Sequence, residues 1–352
     1  MSILLGVFFH FVGGAACGSF YLPFSKVRTW SWESYWIVGG IVSWLIAPLV
    51  AALLTVPDFL QIIADTSAIT LFWTYFMGVL WGIGGLTFGL AMRYLGISLG
   101  MSVALGFTSA FGALVPPIYR DLAGIDGIRF SGMFTSSGGQ LVLLGVVVCL
   151  IGIAICGWAG VRKERDLNAD QMIATIKEFN LSLGLGVAVF AGILSACMSF
   201  GIQSGEPLAE LAVVRGNNPL FQTNVILVVV LWGGLTTNFV WCMILNARNR
   251  SFGDYVDRKT PLLNNYLFAA IAGALWFLQF FFYGMGASKL SNGPSSWILH
   301  MAFIILVSNL LGILFNEWKG ASRTTLRTQL LGIAVIILSV CTVGYGDSLA
   351  IH

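Results

Sequence analysis

The segment FFHFVGGAACGSFYLPF, residues 8–24, is an apolar run that contains no Asp, Glu, Lys or Arg. Together with the residues before it, it is long enough to cross roughly 30 Å of hydrocarbon as a helix. The whole chain has this character, because 57% of its 352 residues are hydrophobic, 9% are charged and the mean hydropathy is +0.88. We therefore predict an all-α membrane protein, since β-barrel strands would instead alternate apolar and polar residues.

Marking every charged residue leaves ten such runs along the chain. Each has the length that a membrane-spanning helix needs. The runs predict ten transmembrane helices, at residues 3–24, 34–56, 70–92, 95–119, 138–161, 181–203, 222–246, 264–287, 294–316 and 325–345.

The connections between these runs differ in their content of lysine and arginine. One alternating set holds all but four of the 18 basic residues, and the exceptions are Arg120, Arg129, Arg215 and Lys289. Basic connections stay on the cytoplasmic side, so we predict that both termini lie outside, in the periplasm, and that the chain crosses the inner (cytoplasmic) membrane several times. The net charge of +3 then reflects topology, and the predicted surroundings are a lipid bilayer, with no nucleic acid as partner.

Weak internal similarity relates the two halves of the chain. Three matches occur in the same order in both halves: Ala16–Phe20 with Ala196–Phe200, Leu80–Trp81 with Leu275–Trp276, and Leu143–Gly145 with Leu330–Gly332. Repeated segments of this kind indicate a duplicated architecture. We predict a first five-helix repeat at 1–161, a cytoplasmic linker at 162–180 and a second five-helix repeat at 181–352.

A repeat of five helices has a consequence for topology. Because five is odd, the second unit must enter the membrane in the opposite orientation, which makes a 5+5 inverted repeat. This arrangement is typical of secondary transporters, whose substrate binds near the middle of the membrane between the two units.

Two histidines lie inside predicted helices. His10 and His300 are each about 10 Å from the outer end of their run, at ~1.5 Å per residue, so we expect them to share one layer. Ionisable residues inside a membrane indicate function by default, and histidine can bind and release a proton near neutral pH. We predict that His10 and His300 couple transport to a proton. The alternative is that each neutral ring joins two helices through a hydrogen bond.

Aromatic and amide side chains at helical spacing complete the predicted site. The predicted substrate-binding residues are His10, Tyr21, Trp81, Trp276, Gln279, Tyr283, Trp297 and His300. Imidazole, amide and phenol groups can pair with hydroxyls while indole faces cover C–H groups, so the set is typical of a site for a small neutral sugar. Hydrogen bonding between helices is the alternative for Gln279, and lipid-facing or core packing is the alternative for Trp81 and Trp276.

The energy source is expected to be an ion gradient. The chain has no GxxxxGK[ST] loop for nucleotide phosphates, so the proton is the predicted coupling ion and Na⁺ is the alternative. We predict no metal site, no cofactor and no enzymatic activity, with haem ligation by the two histidines as the competing interpretation. Arg93 and Glu317 are the predicted gate, and snorkelling of Arg93 to the cytoplasmic surface is the alternative.

Five segments carry a resemblance to a known family. They are WSWESYWIVGG (30–40), LWGIGGLTFGLAMRYLG (80–96), LWFLQFFFYGMG (275–286), SWILHMAF (296–303) and NEW (316–318). In combination they resemble the L-rhamnose/proton symporter family, part of the drug/metabolite transporter superfamily. The resemblance implies ten helices in a five-plus-five inverted repeat and the import of L-rhamnose or a related 6-deoxyhexose with a proton. Transport or exchange of another small metabolite is the alternative, because such folds host many substrates.

Overall fold

Helices make up all the regular structure in the part of the chain that the structure describes. The computed structural model describes residues 2–95, 97–124, 128–166, 180–290, 293–314, 318 and 320–349. The long helices are α1 Ser2–Ser19, α2 Trp32–Thr55, α3 Ala68–Leu95, α4 Ile97–Ala123, α5 Ser137–Asp166, α6 Leu181–Ser204, α7 Thr223–Asn249, α8 Leu262–Ala287, α9 Gly293–Leu314 and α10 Arg323–Leu349. Shorter helical segments lie in the connections, at Tyr21–Phe24, Phe59–Asp65, Phe130–Thr135, Glu206–Val214, Pro219–Phe221 and Ser251–Tyr255.

Eight helices in the described residues are long and apolar enough to cross a membrane, namely all of the long helices except α4 and α9. These two have 27 and 22 residues, which is a comparable length. The prediction of an all-α, multi-pass membrane protein is therefore confirmed. The number of ten spans and the orientation of the termini stay predictions.

The first predicted span, 3–24, corresponds to the apolar span Ile3–Phe24, which is interrupted at Phe20. The Ser19 hydroxyl donates to the carbonyls of Ala15 (2.8 Å) and Ala16 (3.2 Å) at the last turn of α1, and such side-chain bonding to the preceding turn bends helices. The chain then starts a separate short helix at Tyr21–Phe24. As a result Tyr21 does not continue the face of α1 that carries His10, and it is 58% exposed.

Small residues bring α5 and α10 into close contact along their lengths. A Cβ atom added to Gly152 would lie 2.7 Å from Cγ1 of Ile336, and one added to Gly332 would lie 2.5 Å from Sγ of Cys156. Glycine at these two positions therefore lets the backbones approach, which is how helices associate in a membrane without a hydrophobic driving force.

The other helices pack across the predicted halves of the chain. α1 packs against α8 and α9, whereas α6 packs against α3 and α4. The helix α9 lies at the centre, since residues 295–307 are buried on every side, as expected for a helix that is apolar all round. The division into repeats at 1–161 and 181–352 stays a prediction, and α1 lies among helices of the second repeat.

Hydrogen bonds between side chains run along the contact of α2 with α7 and define what we call the polar seam. The donor–acceptor pairs are Asn224 Nδ2 to Thr55 Oγ1 (2.9 Å), Trp36 Nε1 to Asn238 Oδ1 (3.0 Å), Ser34 Oγ to Asn246 Oδ1 (3.4 Å) and Asn249 Nδ2 to Glu33 Oε1 (3.0 Å). Glu33 is 3% exposed and also accepts from the Ser251 hydroxyl at 2.6 Å. The seam thus joins the two helices from one end to the other.

Candidate functional site

Three rings from three helices meet in the interior and form what we call the histidine layer, namely His10 of α1, Tyr283 of α8 and His300 of α9. The ring centroids of the two histidines are 6.0 Å apart. The Tyr283 ring lies 5.4 Å from that of His10 and 5.2 Å from that of His300, edge-on to both. The expectation that the two histidines share one layer is therefore confirmed.

Glycines make room for this layer. A Cβ atom on Gly286 of α8 would lie 2.7 Å from Nε2 of His10, and one on Gly13 of α1 would lie 2.8 Å from the carbonyl oxygen of Gln279. The absence of a side chain at these two positions lets α1 approach α8 closely enough for the rings to touch. The local sequence around His10 and Tyr283 is thus adapted to a tight three-helix contact.

The imidazole nitrogens of the layer have no hydrogen-bonding partner among the described residues. Both ring nitrogens of His10 and of His300 are buried and unpaired, and so is Nε2 of Gln279. The alternative for these side chains was a hydrogen bond that joins two helices. In this conformation the atoms just named make no such bond. Buried polar groups without partners cost free energy, and in native proteins they call for an explanation such as a role in binding or proton transfer.

The geometry limits how the two imidazoles can hold charge. Two positive charges at this separation would repel each other, and burial in apolar surroundings would strengthen the repulsion. The pair can therefore hold one proton at a time far more easily than two. A polar ligand that reached the layer could pair with the free nitrogens and change this balance.

A second group of rings lies on the side of the layer towards the middle of α8. Trp81 and Trp276, which correspond in the predicted repeat, have ring centroids 5.4 Å apart. Trp44 of α2 lies edge-on to both, at 6.0 Å and 5.7 Å. Phe280 connects the group to the histidine layer, because its ring lies 5.4 Å from Trp276 and 5.8 Å from His300.

Trp297 lies next to the histidine layer, but its polar group is already used. Its ring is 6.0 Å from that of Tyr283, and its Nε1 donates to the carbonyl of Thr108 in α4 at 3.1 Å. The indole lies directly on Gly112 of the same helix, where any Cβ would clash. Trp297 therefore joins α9 to α4 in this conformation.

A family model described as L-rhamnose-proton symport protein (RhaT) matches residues 1–349. The chain belongs to this family. Proteins named L-rhamnose-proton symporter from Yersinia pestis (strain Pestoides F) and Yersinia pseudotuberculosis (serotype O:1b, strain IP 31758) are 40% identical to it over 350 residues, which is 98% of each chain. The protein of that name from Pectobacterium carotovorum subsp. carotovorum (strain PC1) is 39% identical over 349 residues. The resemblance drawn from the five segments is thus confirmed, and RhaT proteins are transporters, not enzymes.

The structure does not bring together every predicted site residue of this RhaT chain. Tyr21 lies apart from the histidine layer, against the rings of Phe20 and Phe24. Arg93 belongs to α3, but its side chain lies outside the described part, and Glu317 lies outside the described residues. A contact between the gate candidates therefore stays a prediction.

Two features of this RhaT chain were missed by reasoning from sequence. Trp44 was not singled out, although it lies near the middle of an apolar run just as Trp81 and Trp276 do. Glu33 was also missed, because at the end of a predicted span it resembles an ordinary surface carboxylate. Only its partners Asn249 and Ser251, far along the chain, account for its burial.

Proposed function

We propose that the chain imports L-rhamnose in symport with a proton across the inner membrane. The observation that carries the proposal is the similarity to L-rhamnose-proton symporters over 98% of the chain. Similarity across the full length includes every helix that contributes to the histidine layer and to the tryptophan group, so it supports a shared activity and not only a shared fold.

The proposed coupling residues are His10 and His300. Their support is that both rings are buried, close to each other and without a hydrogen-bonding partner among the described residues. A proton that enters from outside would be bound by one imidazole and released when the layer opens to the inside. A pair that can hold two protons only at a much higher cost than one suits a stoichiometry of one proton for each sugar.

The proposed sugar contacts lie between the histidine layer and the tryptophan group. Gln279 has a free Nε2 for a sugar hydroxyl, and the indoles of Trp81 and Trp276 offer flat apolar faces for the C–H groups of a sugar ring. A neutral ligand fits this region because the side chains that surround it carry no formal charge when the histidines are neutral.

The proposed topology has ten spans, in two inverted repeats of five helices, with both termini in the periplasm. The bias of lysine and arginine supports this orientation, and the lengths of α4 and α9 are compatible with membrane spans. In this topology Arg93 and Glu317 lie near the cytoplasmic surface, where we propose that they form a gate.

Uptake by proteoliposomes tests the function. We expect labelled L-rhamnose to accumulate when the outside is made acidic and not when only a Na⁺ gradient is imposed. A panel of other 6-deoxyhexoses and of their parent hexoses, used as competitors, defines the substrate class. Accumulation driven by Na⁺ alone, or exchange of another metabolite without L-rhamnose uptake, would overturn the proposal.

A further inference from the structure

The helix α2 contains a π-helical turn at Val42–Ile46, inside a helix that is otherwise α-helical. Such turns are rare, and they are found frequently at functional sites. Here the turn carries Ser43 and Trp44, both of which are buried. An irregular turn that presents two buried polar side chains in the middle of a membrane helix requires a reason beyond spanning the bilayer.

Both side chains line a cavity between α2, α8 and the short helix Tyr21–Phe24. Its walls include the indoles of Trp36, Trp44 and Trp276 and the side chain of Ser43, and Gly40 lies in contact with the Trp44 ring. In this conformation the cavity is about 10 Å³, at the lower limit for one water molecule, so the indoles are closed on one another. We call this set of walls the indole box, defined by Trp36, Ser43, Trp44 and Trp276.

The indole N–H groups of Trp36, which is half-buried, and Trp44, which is buried, differ in their pairing. Nε1 of Trp36 donates to Asn238 at 3.0 Å, whereas Nε1 of Trp44 is buried and has no partner among the described residues. The Trp44 ring is held by its neighbours, since it lies edge-on to Trp36 at 6.0 Å and to Trp276 at 5.7 Å. A positioned donor without an acceptor is therefore available at the wall of an aromatic cavity.

We propose that the indole box binds the sugar, with the Trp44 N–H donating to a sugar hydroxyl and the indole faces covering the C–H groups and the methyl group of a 6-deoxyhexose. This inference rests on the proposed function: it extends the proposed sugar contact at Trp276 to Trp36, Ser43 and Trp44, and it adds a basis of selectivity. Because the walls carry few polar groups, a hexose with a hydroxyl on carbon 6 would bury that hydroxyl without a partner. The Trp44 ring touches both other indoles in this conformation, so at least one of the three must move to admit the sugar.

Position along the helices connects the indole box to the histidine layer. Trp276 is a wall of the box and touches Phe280, which touches His300. A sugar in the box would therefore be separated from His300 by two rings, those of Trp276 and Phe280. This separation lets the proton and the sugar occupy different places in the same bundle.

Replacing Trp44 by phenylalanine tests the proposal, because it keeps an aromatic ring and removes the N–H. We expect equilibrium binding of tritiated L-rhamnose to weaken about tenfold, the effect of one lost hydrogen bond. The preference for L-rhamnose over the parent hexose should be altered in the same variant. The matched control is Trp30→Phe, since Trp30 is also a buried indole with an unpaired N–H but lies outside the box, and we expect its affinity to stay within about twofold.

A second measurement does not depend on the folding of the Trp44 variant. In Ser43→Cys the buried thiol can react with a maleimide only while the indoles are apart. We expect L-rhamnose, by occupying the opened box, to slow that alkylation, followed by mass spectrometry at that residue. If wild-type protein binds no L-rhamnose, the proposed function fails. If wild type binds it, but Trp44→Phe behaves like Trp30→Phe and the sugar does not protect Cys at position 43, the indole box alone is overturned.

Discussion

The polar seam and the histidine layer are both buried polar regions of the same helical bundle, and they differ in one respect. In the seam the polar side chains meet partners, as the Glu33 carboxylate does with Asn249 and Ser251. In the layer the ring nitrogens of His10 and His300 meet none among the described residues. Pairing in the seam stabilises a fixed contact between α2 and α7, whereas unpaired groups in the layer remain available for a proton or a ligand.

The difference shows how to distinguish structural from functional polar groups inside a membrane. A buried group whose bonds are all made contributes to the folded state and should affect stability when it is removed. A buried group whose bonds are not made destabilises this conformation, and its presence has to be explained by another step of the transport cycle. Substitutions in the layer and in the seam separate the effect on transport from the effect on stability.

The largest effect is expected from changing the histidine layer. In His10→Gln or His300→Gln, a side chain that cannot carry the proton replaces the imidazole, so uptake should no longer follow the pH gradient. Each coupled proton contributes about 1.4 kcal/mol per pH unit, which corresponds to about tenfold accumulation. We expect accumulation of L-rhamnose in proteoliposomes to fall by about that factor, while exchange without a gradient continues.

The third histidine of the chain, His352, provides a matched control. His352→Gln carries the same chemical change at the last residue of the chain, and its accumulation should equal that of wild type. If a variant in which both His10 and His300 are replaced by Gln still accumulated L-rhamnose in response to the pH gradient, neither histidine would carry the coupled proton. The unpaired ring nitrogens would then need another explanation.

The intermediate effect is expected in the polar seam. Asn246 is fully buried, its amide nitrogen donates to Tyr255 at 3.1 Å, and its amide oxygen lies 3.1 Å from the Ser251 hydroxyl and 3.4 Å from that of Ser34. In Asn246→Leu these groups lose a buried partner, which should cost about 1–3 kcal/mol. We expect a lower midpoint of thermal unfolding in detergent, with sugar affinity and the pH dependence of uptake unchanged.

Asn264→Leu supplies the control for this variant, since Asn264 is exposed on α8 and its replacement should change stability by less than about 0.5 kcal/mol. If the Asn246 variant kept its stability but lost proton coupling, the seam would not be a purely structural contact. The polar seam would then belong to the transport mechanism.

Much of the fold was predictable from sequence, because charge-free runs and helical rise determine it. The run predicted at 181–203 is the helix Leu181–Ser204, and the one predicted at 264–287 is Leu262–Ala287. The shared layer of the two histidines followed from their equal depth in two runs. These features depend on local composition and on a constant rise per residue.

Other features were not predictable, since they depend on contacts between distant parts of the chain. The interruption of the helix at Phe20, beyond which Tyr21 is exposed, follows side-chain hydrogen bonds from Ser19 to backbone carbonyls, and periodicity does not reveal it. The burial of Glu33 depends on a connection more than half the chain away. The π-helical turn at Val42–Ile46 leaves no signal in an apolar run, so Trp44 could not be separated from other aromatic residues.

The smallest effect is expected where a similar polar contact faces water. Asp166 lies beyond the membrane span Ser137–Lys163 and accepts from the Thr325 hydroxyl (2.6 Å) and the Ser322 N–H (2.8 Å) at the start of α10. The hydrogen bond from Thr325, with those from Ser322, holds the pKa of the Asp166 carboxyl below its ordinary value. The stabilisation is then fully present above the ordinary carboxyl pKa of about 3.9 and is lost as the pH falls through the lower folded-state pKa.

The variant Asp166→Asn tests this contact, because it keeps the shape of the exposed side chain and removes its charge. We expect its midpoint of unfolding in detergent to lie slightly below that of wild type at neutral pH. The gap should close as the pH is lowered below about 4, since protonation removes the charge from the wild-type carboxyl as well. A gap that stayed constant over the whole range would mean that the charge of Asp166 contributes nothing. The hydrogen bonds of Asp166 would then stabilise the fold less than those of the seam, because solvent screening weakens exposed contacts between charged and polar groups.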